Sequence, residues 1–268
     1  MERAKTKTIR LEPRLQQVAD YVPPGAKLGD IGTDHAYLPL YLVERGLIRK
    51  AVAVDVHPGP YQFAAAMVRE RGFQELIDVR LGDGLRVVQP GEADVLSLAG
   101  MGGSTILAIL LAGPEVLKAV SRLIVQPQGA EGKVREALSR LGWKLWDERL
   151  VEEEQRLYSV IVFQRDQGLA YEEIRQEGKQ WRRRLKLPPE LEAESVAVAQ
   201  ILEGIIWRCG PLILKRADEK LFKVIQARIK QLNAQAQGIA LAQDPRLIPR
   251  AKEVRLETEL WRAINNKQ

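Results

Sequence analysis

The sequence predicts an α/β protein in which a doubly wound, mostly parallel sheet is followed by a helical C-terminal part. Two observations carry this prediction. Over the first 165 of the 268 residues, short apolar runs alternate with amphipathic stretches, as in repeated β-α units. After residue 167 only helical periodicity remains. We therefore expect two domains, residues 1–165 and residues 166–268.

Seven strands are predicted in the first part, after a leading helix within residues 11–22 that ends at the Pro-Pro-Gly sequence of residues 23–25. The first five strands are short and do not strictly alternate, which indicates a sheet covered on both faces. The last two flank the charged residues 151–155, which we interpret as a loop between antiparallel partners. The predicted strands are residues 27–31, 51–54, 78–81, 94–98, 123–126, 144–150 and 156–163.

The helical periodicity of the second part, residues 166–268, predicts an antiparallel helical pair that resembles a short coiled coil. A turn is expected at Asp244 and Pro245, followed by a returning helix that carries Val254, Trp261 and Ile264. The alternative is that these helices only cover the sheet. The seam of the first helix consists of apolar residues spaced by three and four positions, namely Phe222, Ile225, Ile229, Leu232, Ala236 and Ile239.

Basic charge is concentrated towards the ends of the chain. Residues 1–164 carry 21 Lys and Arg against 21 Asp and Glu, whereas residues 165–268 carry 20 against 14. This excess favours a surface for a polyanion such as RNA, although ordinary solvated helix faces would account for it equally well. The N-terminus adds a local basic cluster formed by Arg3, Lys5, Lys7 and Arg10.

Several classes of protein are disfavoured by composition. A single cysteine, Cys209, cannot form an intramolecular disulfide and is typical of a cytoplasmic protein. No apolar run approaches 18 residues, and no apolar segment follows the basic N-terminus, so neither a membrane span nor a secretory signal is expected. Two histidines, His35 and His57, are too few for a standard zinc site, and no metal is expected.

The most informative segment is LGDIGTDHAYLP, residues 28–39. A strand ends at Asp30, turns at Gly32 and leads into a helix, as in dinucleotide-binding loops. Asp34, however, stands where such loops have a second glycine, and its carboxylate would repel a pyrophosphate. It suits the ammonium group of a methionine moiety, which favours S-adenosylmethionine over a nicotinamide cofactor. His35 is the one plausible catalytic imidazole, and a structural role in the same loop is the alternative.

Two further loops support a nucleoside-containing cofactor. Asp55 ends the second strand, where a carboxylate can accept hydrogen bonds from ribose hydroxyls. Asp83 and Gly84 follow the third strand, where we expect Asp83 to accept a bond from an adenine amino group. Each signal is weak alone, but the three loops occur in the order and spacing that such a site requires.

The acceptor of the reaction is expected at the ends of the fourth and fifth strands, because ligands bind beyond the carboxyl ends of parallel strands. Gly100, Gly102 and Gly103 would let backbone approach an acceptor closely. Met101 could pack on a flat base, and core filling is the equal alternative. The two loops have the sequences AGMGG, residues 99–103, and QPQ, residues 126–128.

These motifs resemble the bacterial tRNA (adenine-22-N1)-methyltransferases. The likeness rests on DIGTDHAYLP, on the Gly59-Pro60 pair, on AGMGG, on LIVQP at residues 123–127 and on GPLILK at residues 210–215. It implies a Rossmann-like methyltransferase domain with a C-terminal coiled-coil appendage that docks RNA. It also implies methyl transfer to N1 of an adenine in the D-arm region of tRNA. The sequence departs from the family pattern at three places. Residues 55–58 stand where family members usually have a glutamate-led segment, and Gln128 stands where an asparagine is expected. Residues at about 168–209 look like an insertion.

The site residues implied by the motifs and the resemblance fall into three groups, and several residues belong to two. The catalytic candidates are Asp34, His35 and Met101. The cofactor-binding candidates are Asp30, Gly32, Asp34, His35, Asp55, Asp83, Gly84, Ala99 and Gly100. The substrate-binding candidates are Met101, Gly102, Gly103, Gln126, Pro127 and Gln128.

Other functions remain open at this point. A methyltransferase for another nucleobase or a small molecule would share the cofactor loops, and so would an RNA-binding module without turnover. A cytosine-C5 methyltransferase is disfavoured because its thiol nucleophile would have to be Cys209, which lies outside the site loops. A nicotinamide oxidoreductase is disfavoured by Asp34.

Overall fold

The computed structural model describes residues 8–217 and 219–267. The chain divides into two compact units between Gly168 and Leu169, whereas the sequence suggests a division after residue 165. The RNA-docking role expected for the second part stays a prediction. Of the basic N-terminal cluster, Arg10 is exposed, and the remaining members, Arg3, Lys5 and Lys7, lie outside the described residues.

The first unit is built around a seven-stranded sheet. Its strands are β1 (Ala26–Ile31), β2 (Ile48–Asp55), β3 (Ile77–Leu81), β4 (Val95–Met101), β5 (Arg122–Pro127), β6 (Lys144–Glu153) and β7 (Arg156–Gln164). They pair in the order β3-β2-β1-β4-β5-β7-β6. Neighbours among β1 to β5 are parallel, and β7 is antiparallel to both β5 and β6. The predicted doubly wound sheet with a closing antiparallel pair is confirmed.

Helices connect the parallel strands. Leu28 in β1 and Leu96 in β4 are fully buried, as expected where both faces of a parallel sheet are covered. With the connections packed on the faces, the carboxyl ends of β1, β2 and β4 remain free to carry loops. The helices of this unit are α1 (Pro13–Asp20), α2 (Tyr37–Glu44), α3 (Pro58–Arg71), α4 (Gly103–Ala112), α5 (Pro114–Lys118) and α6 (Glu131–Arg140).

The predicted loop at residues 151–155 is wrong in its extent. Strand β6 continues through Glu153, so that only Glu154 and Gln155 form the turn, with φ of 49° and 62°. Two left-handed residues are what a tight two-residue hairpin requires. The charged residues fit a strand here because β6 is the edge of the sheet, with Val151 buried and Glu152 exposed on opposite faces.

In the described residues of the second unit, the regular elements are helices. Its helices are α7 (Tyr171–Arg184), α8 (Pro189–Ala193), α9 (Ser195–Cys209), α10 (Pro211–Arg216), α11 (Glu219–Ala242) and α12 (Ile248–Asn265). Gln226 bonds Asn265 and Arg228 bonds Glu257, so α11 and α12 run antiparallel. Within the described parts of the chain, no helix is long and apolar enough to cross a membrane.

The predicted seam of α11 begins one residue too late. Phe222 is 56% exposed, whereas Leu221 is buried together with Ile225 and Leu232. Ala236, farther along the predicted seam, is exposed as well. Helical spacing alone could not separate these possibilities, because Leu221 and Phe222 both fit a step of three or four to Ile225.

Gly168, at the end of the first unit, has no room for a side chain. Its φ is +118°, and a Cβ added there would lie 2.4 Å from the carbonyl oxygen of Leu145. We expect Gly168→Ala to lower the melting temperature of the full chain well below that of Gly142→Ala. Gly142 also has a positive φ, +85°, but nothing lies within 4 Å of an added Cβ.

Gly142→Ala, the control, lowers the free energy of unfolding only through backbone strain, by about 1–2 kcal/mol. Gly168→Ala adds to such strain an overpacking cost of about 1–3 kcal/mol. Thermal unfolding followed by circular dichroism measures both. Equal losses for the two variants would mean that the close backbone approach at Leu145 is not a constraint.

Candidate active site

A cavity of about 520 Å³ opens at the carboxyl ends of β1 to β4. This is the edge at which open α/β sheets bind ligands, and the volume is in the range of small-molecule sites, roughly 300–1,000 Å³. Its lining includes seven of the residues predicted from sequence, namely Gly32, Asp55, Asp83, Gly84, Ala99, Gly100 and Met101. It also includes residues that the sequence did not indicate, among them His57, Arg86, Thr105 and Ile109.

Asp55 fixes two of the loops that border the cavity. Its carboxylate is buried, with 7% of the residue exposed. One oxygen accepts the backbone N–H of Asp34 at 3.0 Å, and the other accepts the backbone N–H of His57 at 2.9 Å. Because each carboxylate oxygen has two lone pairs, acceptor capacity remains on both oxygens for a ligand in the cavity.

Asp83 borders the cavity at the end of β3. Its carboxylate is 60% exposed and forms an ion pair with Arg86 at 2.9 Å. The neighbouring Gly84 has a positive φ of 57°, and a Cβ at that position would lie 2.8 Å from the side chain of Ile109 on α4. The loop therefore approaches α4 as closely as glycine allows.

Asp30 lies at the end of β1 but does not line the cavity. Its carboxylate is buried and accepts hydrogen bonds from the Thr33 hydroxyl at 2.6 Å and the Ser97 hydroxyl at 2.7 Å. Burial raises the pKa of Asp30, and the two hydroxyls oppose that shift. The expected contact between Asp30 and the cofactor stays a prediction, and the bonds that the structure shows join β1 to β4 and to its own loop.

The loop after Asp30 is held in an uncommon backbone conformation. Asp34 and Ala36 have φ of 53° and 57°, which costs of order 1–3 kcal/mol per residue. The Asp34 side chain is 67% exposed, and neither Asp34 nor His35 is among the cavity-lining residues. Instead, the imidazole of His35 packs against Phe63, with ring centroids 4.2 Å apart.

Glycines in the loops after β1 and β4 serve different purposes. An added Cβ on Gly32, in the β1 loop, would lie 2.6 Å from Cε of Met101, so Gly32 lets the two loops meet. Gly103 is buried, and a Cβ there would lie 2.8 Å from the Gly129 carbonyl oxygen. The predicted substrate contact at Gly103 stays a prediction, and the close approach that the structure shows there is to the backbone of Gly129. Gly102 is exposed immediately before α4.

Gln126 is predicted to contact the substrate, and this also stays a prediction. Its side chain is fully buried. The amide oxygen accepts a hydrogen bond from Arg14 at 2.7 Å and another from the backbone N–H of Gly100 at 3.0 Å. Pro127 is buried as well, and only Gln128 of this loop is exposed. Gln126 is thus a support for the Gly100 loop.

Arg14, on α1, completes this support. Its Nε bonds Glu153 at 3.3 Å, and its backbone N–H bonds the same carboxylate at 2.9 Å. Its guanidinium also lies beside Gly100, 3.3 Å from where a Cβ would be. A cation from the first helix thereby fixes the backbone at the end of β4.

Comparison with known proteins assigns the chain to a family. Residues 11–161 match the family model described as a methyltransferase domain. The chain is 42% identical to the tRNA (adenine(22)-N(1))-methyltransferase of Bacillus subtilis over 167 residues, which are 62% of this chain and 70% of that protein. The chain belongs to this methyltransferase family.

Solved structures of similar proteins agree. The crystal structure of the Bacillus subtilis m1A22 tRNA methyltransferase TrmK has a TM-score of 0.78 and 29% identity, covering 96% of this chain and 99% of that one. The Streptococcus pneumoniae protein Sp1610, in complex with S-adenosyl-L-methionine, has a TM-score of 0.67 and 29% identity, covering 94% and 98%. The resemblance inferred from the DIGTDHAYLP and AGMGG motifs is thus confirmed.

Besides the cavity-lining residues already named, sequence reasoning missed two residues that support the methyltransferase site from outside the cavity. Arg14 is 112 residues from Gln126 and carries no local motif. Ser97 lies within an apolar strand, where its hydroxyl gave no signal of a bond to Asp30. Within residues 8–217 and 219–267, no group of three or more His, Cys, Asp or Glu side chains could hold a metal ion.

Proposed function

We infer that this methyltransferase transfers a methyl group from S-adenosylmethionine to N1 of adenine 22 in tRNA. The observation that carries this inference is the 42% identity to the Bacillus subtilis enzyme with that activity. The inference is also supported by the cavity at the carboxyl edge of the sheet, whose lining includes Asp55, Asp83 and the loop of Gly100.

The residues of the cavity fit this cofactor. We propose that the ribose hydroxyls donate hydrogen bonds to the remaining lone pairs of the Asp55 carboxylate. The adenine amino group would donate to the exposed carboxylate of Asp83. Ile109, at one wall, supplies an apolar surface for a flat ring, and the backbone at Gly32 would accommodate the methionine part. When bound, the cofactor supplies an electrophilic methyl group. Asp34 remains our candidate for the ammonium group, since its exposed carboxylate is on the loop that Asp55 holds.

The acceptor side requires positioning more than proton transfer. Neutral adenine N1 already has a lone pair, so the reaction needs no strong general base. Holding two groups in alignment gives effective molarities of roughly 10⁵–10⁸ M. We assign this alignment to Met101 and Gly100, whose backbone is fixed by Gln126. The product is a cation, and a nearby carboxylate such as Asp34 would stabilise the charge as it develops.

Arg14 gives a prediction for this arrangement. We expect Arg14→Ala to lower kcat/KM for tRNA methylation by about 10- to 100-fold, because a hydrogen bond from a charged group is worth about 1.5–3 kcal/mol. Affinity for S-adenosylmethionine, measured by calorimetry, should stay nearly unchanged because Arg14 does not line the cavity. Arg140→Ala, which removes an exposed guanidinium on α6, is the matched control. An Arg14→Ala enzyme as active as this control would contradict the positioning role.

The second unit is our candidate for RNA docking. Residues 169–268 carry 19 Lys and Arg against 13 Asp and Glu. On α7 and α9, a groove of about 480 Å³ is lined by four basic side chains, Arg175, Lys179, Arg182 and Arg183, and by Glu172 and Glu203. A basic groove of this kind suits the phosphates of RNA. A cytoplasmic location, where tRNA is available, is part of this proposal.

The proposed function is tested with two tRNA transcripts that differ at one position. The first carries adenosine at position 22 and the second carries guanosine there. With S-adenosylmethionine labelled in its methyl group, we expect close to one label per molecule in the first transcript and none in the second. Equal labelling of both transcripts would mean that the enzyme methylates a nucleotide other than position 22.

A further inference from the structure

Three aromatic side chains cluster on the surface of the first unit. The His35 imidazole lies 4.2 Å from the Phe63 ring and 5.5 Å from the Tyr37 ring, between centroids. All three stay partly exposed: 39% for Tyr37, 43% for Phe63 and 37% for the His35 side chain. A single exposed aromatic residue is ordinary, but Tyr37 and Phe63 both contact His35, and the three form an apolar surface that internal packing leaves uncovered. We call these three residues the aromatic rim.

The aromatic rim is connected to the cavity by Asp55. His35 follows Asp34, whose backbone N–H bonds one oxygen of Asp55, and Phe63 lies on α3, which begins after His57. The backbone N–H of His57 bonds the other oxygen of the same carboxylate. Because Asp55 and His57 both line the cavity, the rim belongs to two segments that start at the edge of the cavity and that one buried carboxylate holds.

The chemistry of the aromatic rim suits a base rather than a phosphate. The carboxylate of Asp34 lies 3.7 Å from Nε2 of His35, and it would repel a phosphate. Aromatic faces, in contrast, stack on nucleobases of any sequence. An adenine whose N1 is to be methylated must leave its pair or stack, and its neighbours in the strand then lose a stacking partner.

We propose that the aromatic rim stacks on a nucleobase that is adjacent to the methylated adenine in the RNA. The proposal rests on the proposed function, and it names a binding surface that the cofactor site does not need. The rim replaces the stacking that the neighbouring base loses, and so it lowers the cost of presenting adenine 22 to the cavity.

The kinetic test compares Phe63→Ala with the wild-type enzyme and with Phe63→Trp, which keeps an aromatic face. Base stacking on an aromatic side chain gives an expected loss of about 5- to 150-fold in kcat/KM for tRNA in Phe63→Ala. The loss should appear mainly in KM, and Phe63→Trp should retain most of the activity. Affinity for S-adenosylmethionine, measured by calorimetry, should match the wild type and so establish that Phe63→Ala is folded. Leu141→Ala, which removes a 48% exposed side chain after α6, is the control for loss of surface apolar area.

A spectroscopic test identifies the base. 2-Aminopurine is placed at position 21 or at position 23 of the tRNA, and its emission is lower when it is stacked. We expect lower emission at one of these positions in the wild-type complex than in the Phe63→Ala complex. Equal emission in both complexes at both positions, or a Phe63→Ala enzyme as active as Leu141→Ala, would overturn the proposal. Failure of the wild-type enzyme to methylate tRNA is a different result, since it would remove the proposed function and the stacking role with it.

Discussion

Replacing Asp55 with alanine is expected to weaken the binding of S-adenosylmethionine by about 10- to 150-fold, the equivalent of one hydrogen bond to a charged group. Two effects combine in this variant. The ribose hydroxyls lose their acceptor, and the amides of Asp34 and His57 lose the carboxylate that holds both loops. Isothermal titration calorimetry measures the affinity directly. Asp55→Asn, which keeps one acceptor oxygen, should fall between the wild type and alanine.

Asp94 provides the matched control for Asp55. Its carboxylate also accepts a backbone N–H, that of Lys27, at 2.9 Å, but it lies at the opposite ends of β1 and β4. Asp94→Ala should therefore leave the affinity for S-adenosylmethionine unchanged, even if it lowers the melting temperature. If Asp55→Ala bound the cofactor as tightly as Asp94→Ala, the ribose assignment would be wrong.

Removal of the second unit is the other change with a large expected effect. A chain that ends at Gly168 should bind S-adenosylmethionine like the full chain, because every residue that lines the cavity lies within the first unit. It should bind tRNA about 100-fold more weakly and with a shallower dependence on salt, because phosphate contacts by Lys and Arg release counterions. Fluorescence anisotropy with labelled tRNA, at several salt concentrations, measures both quantities.

A charge variant of the full chain locates the docking surface within the second unit. Changing Lys179, Arg182 and Arg183 of α7 to glutamine should weaken tRNA binding and reduce the slope of log K against log salt by about 2–3. The control is an equal loss of charge in the first unit, obtained by changing the exposed residues Lys118, Lys133 and Arg140 to glutamine. Equal salt slopes for the two triple variants would mean that the docking surface lies elsewhere. Unchanged tRNA binding by the chain that ends at Gly168 would mean that the second unit has another role.

The part of the site that follows from local sequence was predictable. Asp55, Asp83 and Gly100 each end or follow a parallel strand, and the carboxyl ends of neighbouring parallel strands meet at one edge. Their common position around the cavity therefore required only the strand assignments. The same holds for the fold, whose apolar runs alternate with helices in the order that a doubly wound sheet needs.

The part that depends on packing was not predictable. Gln126 has the residue type and the strand-end position of a substrate contact, yet its side chain is buried under Arg14 of a helix 112 residues away. Gly103 resembles a site for close ligand approach, but the neighbour that excludes a Cβ there is the Gly129 carbonyl. Both surroundings were missed for one reason, which is that sequence position gives the strand end but not the direction in which a side chain leaves it.

The assignment of N1 of adenine 22 as the methyl acceptor is tested by finding where a labelled methyl group enters tRNA. Unmodified tRNA is incubated with the wild-type enzyme and S-adenosylmethionine that carries a deuterated methyl group. The nucleosides are then analysed by mass spectrometry, and the labelled position is mapped after nuclease digestion. We predict labelled 1-methyladenosine at position 22. Label in N6-methyladenosine, label at another position, or cofactor binding without any labelled nucleoside would contradict the assignment.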